Sequence, residues 1–202
     1  EPHQKIIDFM KKQKFQLFLS KEMAREIFTD TMPVGVCNIL QRLHRAGYEA
    51  YIVGGCVRDV LLGRQPHDWD ICTSARPEQA KQVLSDLRCL DTGLQHGTIT
   101  VCCEDGMYEI TTYRIDGKYD DGRHPRQVTF STALQDDLAR RDFTINAMAY
   151  SEEQGLLDYF DGYSDLCRGV IRCVGNPDER FQEDALRILR ALRFASVYGF
   201  QL

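Results

Sequence analysis

The sequence predicts an α+β fold, a small mixed sheet followed by helices. Three observations predict it. Between residues 48 and 113, short apolar or alternating runs recur, bounded by glycine and acidic turns. Ahead of them, residues 34–46 are amphipathic, with Val36, Ile39, Leu40 and Leu43 recurring at three and four and Gly47 as the stop. After them, residues 177–198 read as one helix.

The elements follow in order. Residues 4–28 read as helical, with a patchy apolar face that includes Ile6, Ile7, Phe9 and Met10. Residues 48–53 form a strand; Gly54 and Gly55 follow it, then a helix from Cys56 to Leu62 ending at Gly63. Residues 69–72 are a second strand, and residues 77–87 a helix with Pro77 in its first turn. Strands at 98–103 and 108–113 flank a hairpin-like turn at 104–107, and 126–130 is a further short strand. Residues 133–150 read as helical, with Ile145, Ala147, Met148 and Ala149 as its apolar end. Residues 156–161 and 170–174 are short extended pieces joined by turns. No internal repeat or low-complexity tract interrupts the pattern.

A chain of 202 residues suits one domain with a short appendage. Its 43% hydrophobic and 27% charged content is ordinary for a globular protein. No apolar run approaches the ~18–20 residues of a membrane span, and the N-terminus lacks the form of a secretion signal. The expected location is therefore the cytosol, with no membrane partner. The eight cysteines form no C-x-x-C pair and sit mostly in apolar runs, so buried, reduced thiols are expected instead of disulfides or zinc.

The formal net charge of −5 does not advertise nucleic-acid binding. Charge is nevertheless unevenly spread: residues 1–25 hold six Lys/Arg against three acids, and residues 180–202 hold four arginines against two. An acidic centre beside a basic path is compatible with that total.

Five groups of residues carry candidate chemistry. Gly54 and Gly55, between a strand and a helix, let a phosphate approach the backbone, and Arg58 adds charge in the first turn; alone, the pair is equally a tight turn. Asp68 and Asp70 would share one face of a strand, either as ligands of a hard divalent cation or as a solvated edge. Glu109, on another strand, joins them if the two strands are neighbours; otherwise it is a surface residue. Arg140, Arg141, Asp142, Thr144 and Asn146 are either contacts for ribose and triphosphate or a helix cap with surface arginines. Asp184 and Arg187, three apart on a helix, either address a base edge or form an ordinary ion pair, and Arg190 and Arg193 extend that side.

Together and in order, these segments resemble the class II tRNA nucleotidyltransferase and bacterial poly(A) polymerase family. The matching text is GGCVRD at 54–59, DWD at 68–70, DGRHP at 121–125, RRDFTINAM at 140–148 and EDALRILRALRFA at 183–195. The resemblance spans residues 48–200. It implies a polymerase-β-like nucleotidyltransferase head at 34–175 and the start of a helical neck at 176–202; residues 1–33, outside the resemblance, are read as an appended N-terminal helical extension. It implies that Asp68 and Asp70 bind two magnesium ions, with Glu109 as a third catalytic carboxylate. Gly54, Gly55, Arg58, Arg141, Asp142, Asn146 and Arg190 would contact nucleotide, and Asp184 and Arg187 would read the base. His124 replaces the second arginine of the family's usual D-G-R-R-P.

The implied activity is template-independent addition of CMP, CMP and AMP to tRNA 3′ ends from CTP and ATP, releasing pyrophosphate. No DNA partner is implied. The alternatives are a bacterial poly(A) polymerase, an enzyme adding only CC or only A, and a non-catalytic nucleotide- or RNA-binding module. Family members continue through further helical domains, so the chain is expected to be a fragment.

Overall fold

The computed structural model describes residues 19–117 and 128–202. The N-terminal part of the expected 4–28 helix and the 121–125 motif lie outside the described residues. A seven-stranded mixed sheet organises the chain, and helices cover both faces.

Helix α1 (Lys21–Thr29) begins at Ser20, whose hydroxyl accepts from the Met23 N–H at 3.2 Å. Ala24 and Phe28 turn inward, and the Phe28 ring stacks on Tyr150 at 3.9 Å between centroids. Helix α2 (Val34–Arg45) buries Val36, Ile39, Leu40 and Leu43, the residues whose spacing predicted it. Strand β1 (Ala50–Val53) is buried on both sides. Ala50 and Ile52 join the core cluster that includes α1 and α2, and Tyr51 and Val53 join a second cluster across the sheet. That alternation is the period of a strand.

Helix α3 (Gly55–Leu61) follows, then β2 (Asp70–Thr73), α4 (Pro77–Val83), β3 (Arg88–Gly93), β4 (Thr98–Cys103) and β5 (Gly106–Thr112). A 3-10 turn at Leu94–His96 links β3 to β4. Strands β6 (Arg114–Asp116) and β7 (Val128–Phe130) pair in a small second sheet. Helix α5 (Leu134–Ala139) and a 3-10 turn (Thr144–Asn146) lead to β8 (Met148–Ser151) and β9 (Gly155–Asp158). Helices α6 (Gly162–Arg168), α7 (Pro177–Glu183) and α8 (Leu186–Tyr198) complete the described chain. The order in the large sheet is β3-β4-β5-β2-β1-β8-β9, and β2 and β5 are its one parallel pair.

Several expectations are corrected. Residues 133–150 are not one helix: Met148–Ser151 form β8, between β1 and β9. A run of small and apolar residues buried on every side has no period to separate strand from helix, and pairing with β1 and β9 decided it. Residues 177–198 are not one helix either. Asp184 takes an extended conformation (φ −147°, ψ 104°) and its carboxylate accepts from the Leu186 N–H at 2.9 Å, so it starts α8 after ending α7. Strand β2 starts at Asp70, so Asp68 lies just before the strand. Strand β3 and helix α6 were not anticipated. Residues 170–174 contribute only isolated bridges, through Val170 and Cys173.

Cys56, Cys72 and Cys173 are buried, but Cys167 is exposed. Burial, with Asp70 nearby, pushes the Cys56 thiol up to about 12, so it stays neutral and packs as a small apolar group. Among the described residues, no helix is long and apolar enough to cross a membrane.

Candidate active site

Strand β1 runs antiparallel to both β2 and β8, so the end of β1 and the starts of β2 and β8 meet at one edge of the sheet. A cleft of about 530 Å³ opens there, walled on one side by α8. Of the twelve candidate residues, nine line it: Gly54, Gly55, Arg58, Asp68, Asp70, Arg141, Asp142, Asn146 and Arg190. Glu109, Asp184 and Arg187 do not.

Gly54 connects β1 to α3 with φ +84° and ψ −127°, a backbone region open mainly to glycine. A Cβ there would stand 2.8 Å from Nη1 of Arg141. Arg141 is itself fixed: its Nη2 donates to Asp137 at 3.1 Å, and Asp137 is fully buried. Burial alone would raise the Asp137 pKa, but Arg141 and Arg140 beside it hold the carboxyl below its ordinary value. Asp137 thus anchors both arginines of the pair at 140–141. The sequence reading missed it, although its spacing of three and four to the arginines just past α5 was a usable signal.

Arg58 is almost wholly buried, yet it reaches the cleft. Its Nε donates to Asp59 at 2.9 Å and its Nη1 to the Asn146 side-chain oxygen at 2.5 Å. Asn146 donates in turn to Asp142 at 3.0 Å, and Asp142 accepts from Nε of Arg190 at 2.8 Å. This chain of charge-assisted bonds ties α3, the Thr144–Asn146 turn and α8 into one wall. Asp142 therefore bridges Asn146 and Arg190 within that wall, in addition to accepting from the Phe143 N–H.

The two aspartates, Asp68 and Asp70, line the same cleft. Asp70 opens the parallel β2–β5 ladder, in register with Glu109. Its pKa is raised, first by the crowding that removes water and then by Asp68, while Arg141 works in the opposite sense. Glu109 is raised by burial, then by Asp70 and Asp68. Three carboxylates therefore repel one another at this edge, and a cation would relieve the repulsion. Among the described residues, no three His, Cys, Asp or Glu side chains form a ready-made metal cage. Asp68 and Asp70 supply two hard oxygen donors instead. That set suits magnesium, which takes one or two protein carboxylates and fills its shell with water and phosphate oxygens.

The far end of the site differs from expectation. Arg187 is buried and donates to Glu183 at 2.7 Å and to the Arg180 carbonyl at 2.9 Å. Because the helix breaks at Asp184, Asp184 and Arg187 do not share a helical face. Arg187 pairs with Glu183 of α7, and the Asp184 carboxylate accepts from the Leu186 N–H at the start of α8. The cleft instead presents Arg64, Phe194 and Tyr198, to which the sequence reading gave no role. Phe194 and Tyr198 are four apart on α8, a spacing that puts them on one face.

A family model described as "Poly A polymerase head domain" matches residues 50–172, the sheet and most of the cleft. The chain belongs to this family. It is similar to a CCA-adding enzyme of Lactobacillus delbrueckii subsp. bulgaricus, 52% identical over 177 residues, which cover 88% of this chain and 43% of that protein. Among solved structures, the Bacillus stearothermophilus CCA-adding enzyme in complex with CTP aligns with a TM-score of 0.75 at 43% identity, over 87% of this chain and 40% of that one. The Thermotoga maritima CCA-adding enzyme complexed with tRNA_CCA aligns with a TM-score of 0.68 at 28% identity, over 88% and 41%. The chain thus spans about two fifths of the length of these relatives. The mixed sheet with helices on both faces is the head-domain fold they share.

Proposed function

We propose that this chain is the catalytic head of a template-independent RNA nucleotidyltransferase that adds CMP, CMP and AMP to tRNA 3′ ends from CTP and ATP. The observation that carries the proposal is the cleft that Asp68 and Asp70 line together with Arg58, Arg141 and Arg190. A triphosphate needs cations on its oxygens, and a reacting phosphorus needs carboxylates that hold magnesium. The similarity to CCA-adding enzymes supports the choice of CTP, ATP and tRNA over other nucleotides and acceptors.

In the proposed reaction, the terminal 3′-oxygen of the RNA bonds to the α-phosphorus, and the bond from that phosphorus to the bridging oxygen breaks, releasing pyrophosphate. The hydroxyl proton passes to solvent. Arg58 and Arg141 hold the phosphates, and Gly54 lets them approach the backbone at the start of α3. Asn146 and Asp142 keep Arg58 and Arg190 aligned with the cleft. Asp68 and Asp70 would hold magnesium, with Glu109 beside Asp70 as a supporting carboxylate. Magnesium bound there would favour the ionised 3′-oxygen and offset charge on the leaving pyrophosphate. A base-reading role for Asp184 and Arg187 belongs to this proposal only with a rearrangement that frees Arg187 from Glu183.

The test is nucleotide incorporation by the full-length protein on a tRNA lacking its CCA end and on an unstructured RNA. Each is given CTP, ATP or both, with magnesium. Addition of C, C and A that then stops, on tRNA alone, supports the proposal. Long A tails on either RNA replace it with poly(A) synthesis, and addition of only CC or only A narrows it to a partial activity. No incorporation brings forward a binding-only module.

A further inference from the structure

Arg58 is held on two sides by different chemistry. Along its edge, Nε and Nη2 meet Asp59 at 2.9 and 2.8 Å, and Nη1 meets Asn146. Across its face, the guanidinium carbon lies 5.1 Å from the ring centre of Phe194 and 5.1 Å from that of Tyr198. The two rings lie nearly parallel, at 23° with 5.9 Å between centres, and both come from α8. A planar, weakly hydrated guanidinium is suited to such stacking, and hydrogen bonds along its edge do not compete with rings on its face.

Tyr198 acts twice. Its hydroxyl donates to Oδ1 of Asp59 at 3.2 Å, the same oxygen that accepts from Nε of Arg58. One side chain therefore supports both the face of Arg58 and the carboxylate on its edge. Tyr198 also stacks under Arg64, at 4.6 Å to the ring centre. Phe194 has a packing duty as well, edge-on against Phe143 at 5.8 Å. Tyr198, half-buried at the cleft, carries less of that duty and gives the sharper test.

We propose that Phe194 and Tyr198 are positioning residues for Arg58, holding its guanidinium in the attitude in which it meets the phosphates of a bound nucleotide. The proposal rests on the nucleotide-binding reading of the cleft. A long arginine left to its rotamers spends much of its time elsewhere, and two rings and one carboxylate remove that freedom before the ligand arrives. Phosphate affinity then depends on how α8 sits against α3, although α8 follows α3 by more than a hundred residues in sequence.

The experiment measures binding of inorganic tripolyphosphate to the full-length protein by calorimetry, which reads phosphate affinity without base, ribose or RNA. Tyr198→Leu is expected to weaken binding about fivefold, the scale of a lost cation–π contact. Tyr198→Phe, which restores the ring, is expected to recover most of the loss. In an Arg58→Leu background, Tyr198→Leu is expected to add nothing, since a residue acting through Arg58 has nothing left to position. Unchanged affinity in Tyr198→Leu, or the same loss with and without Arg58, overturns the proposal. The nucleotidyl-transfer reading is judged separately by incorporation, so a protein that binds tripolyphosphate with this pattern but transfers nothing would overturn that reading alone.

Discussion

Gly54 and Arg141 lie so close that a single methyl group on Gly54 would stand 2.8 Å from the Arg141 guanidinium. The glycine ends β1 and the arginine follows α5, so the contact joins the two arms of the cleft. Gly54→Ala is expected to displace Arg141 and to strain a backbone with positive φ, costing roughly 1–2 kcal/mol. The measurable outcome is at least a tenfold rise in the KM for nucleoside triphosphate with the melting temperature lowered by only a few degrees. A variant with wild-type KM would show that Arg141 does not meet the phosphates.

Asp70 and Glu109 are in register on neighbouring strands, but only Asp70 lines the cleft. Asp70→Asn is expected to lower incorporation on the order of a thousandfold or more, the scale seen when a central catalytic group is lost. Glu109→Gln is expected to lower it far less. Single-turnover rates at saturating magnesium compare the two. Equal losses would give Glu109 a direct share in the chemistry.

Asp137, buried between Arg140 and Arg141, links the site to stability. Its folded pKa lies below the ordinary value, so its contribution is fully present above the unfolded value of about 4 and is lost as pH falls through the lower folded value. Asp137→Asn should therefore cost about 3 kcal/mol at neutral pH. In denaturant unfolding followed against pH, the gap between variant and wild type should close only below about pH 4. A constant gap across pH would mean that the lost contribution is packing, not charge.

Arg187 is paired with Glu183 in this conformation. Arg187→Ala is expected to lower the melting temperature, because Glu183 loses one of its two arginine partners and keeps only Arg180. If Arg187 also reads the base after rearrangement, the same variant should incorporate GMP or UMP as readily as CMP or AMP. Competition among the four nucleotides reads that outcome, and unchanged selectivity would assign base choice to other residues.

The sequence by itself determined the family and named most of the residues that line the candidate site. Its glycine pair, its D-x-D and its arginine motif kept their order, and nine of the candidate residues line one cleft. Helix α2 was legible because one of its faces stays wet, so its 3.6-residue period survives in the sequence.

What only the tertiary structure decided lies where burial is complete or where one residue serves two elements. Strand β8 is buried on both faces, so its apolar run carries no period, and its neighbours β1 and β9 made it a strand. The sequence pattern ran one helix through Asp184, and the extended backbone there, with its carboxylate accepting from the Leu186 N–H, broke it in two. Arg58 meets Asn146, Phe194 and Tyr198 across long stretches of chain. Such contacts leave no local pattern, because they are set by how the elements pack and not by spacing along any one of them.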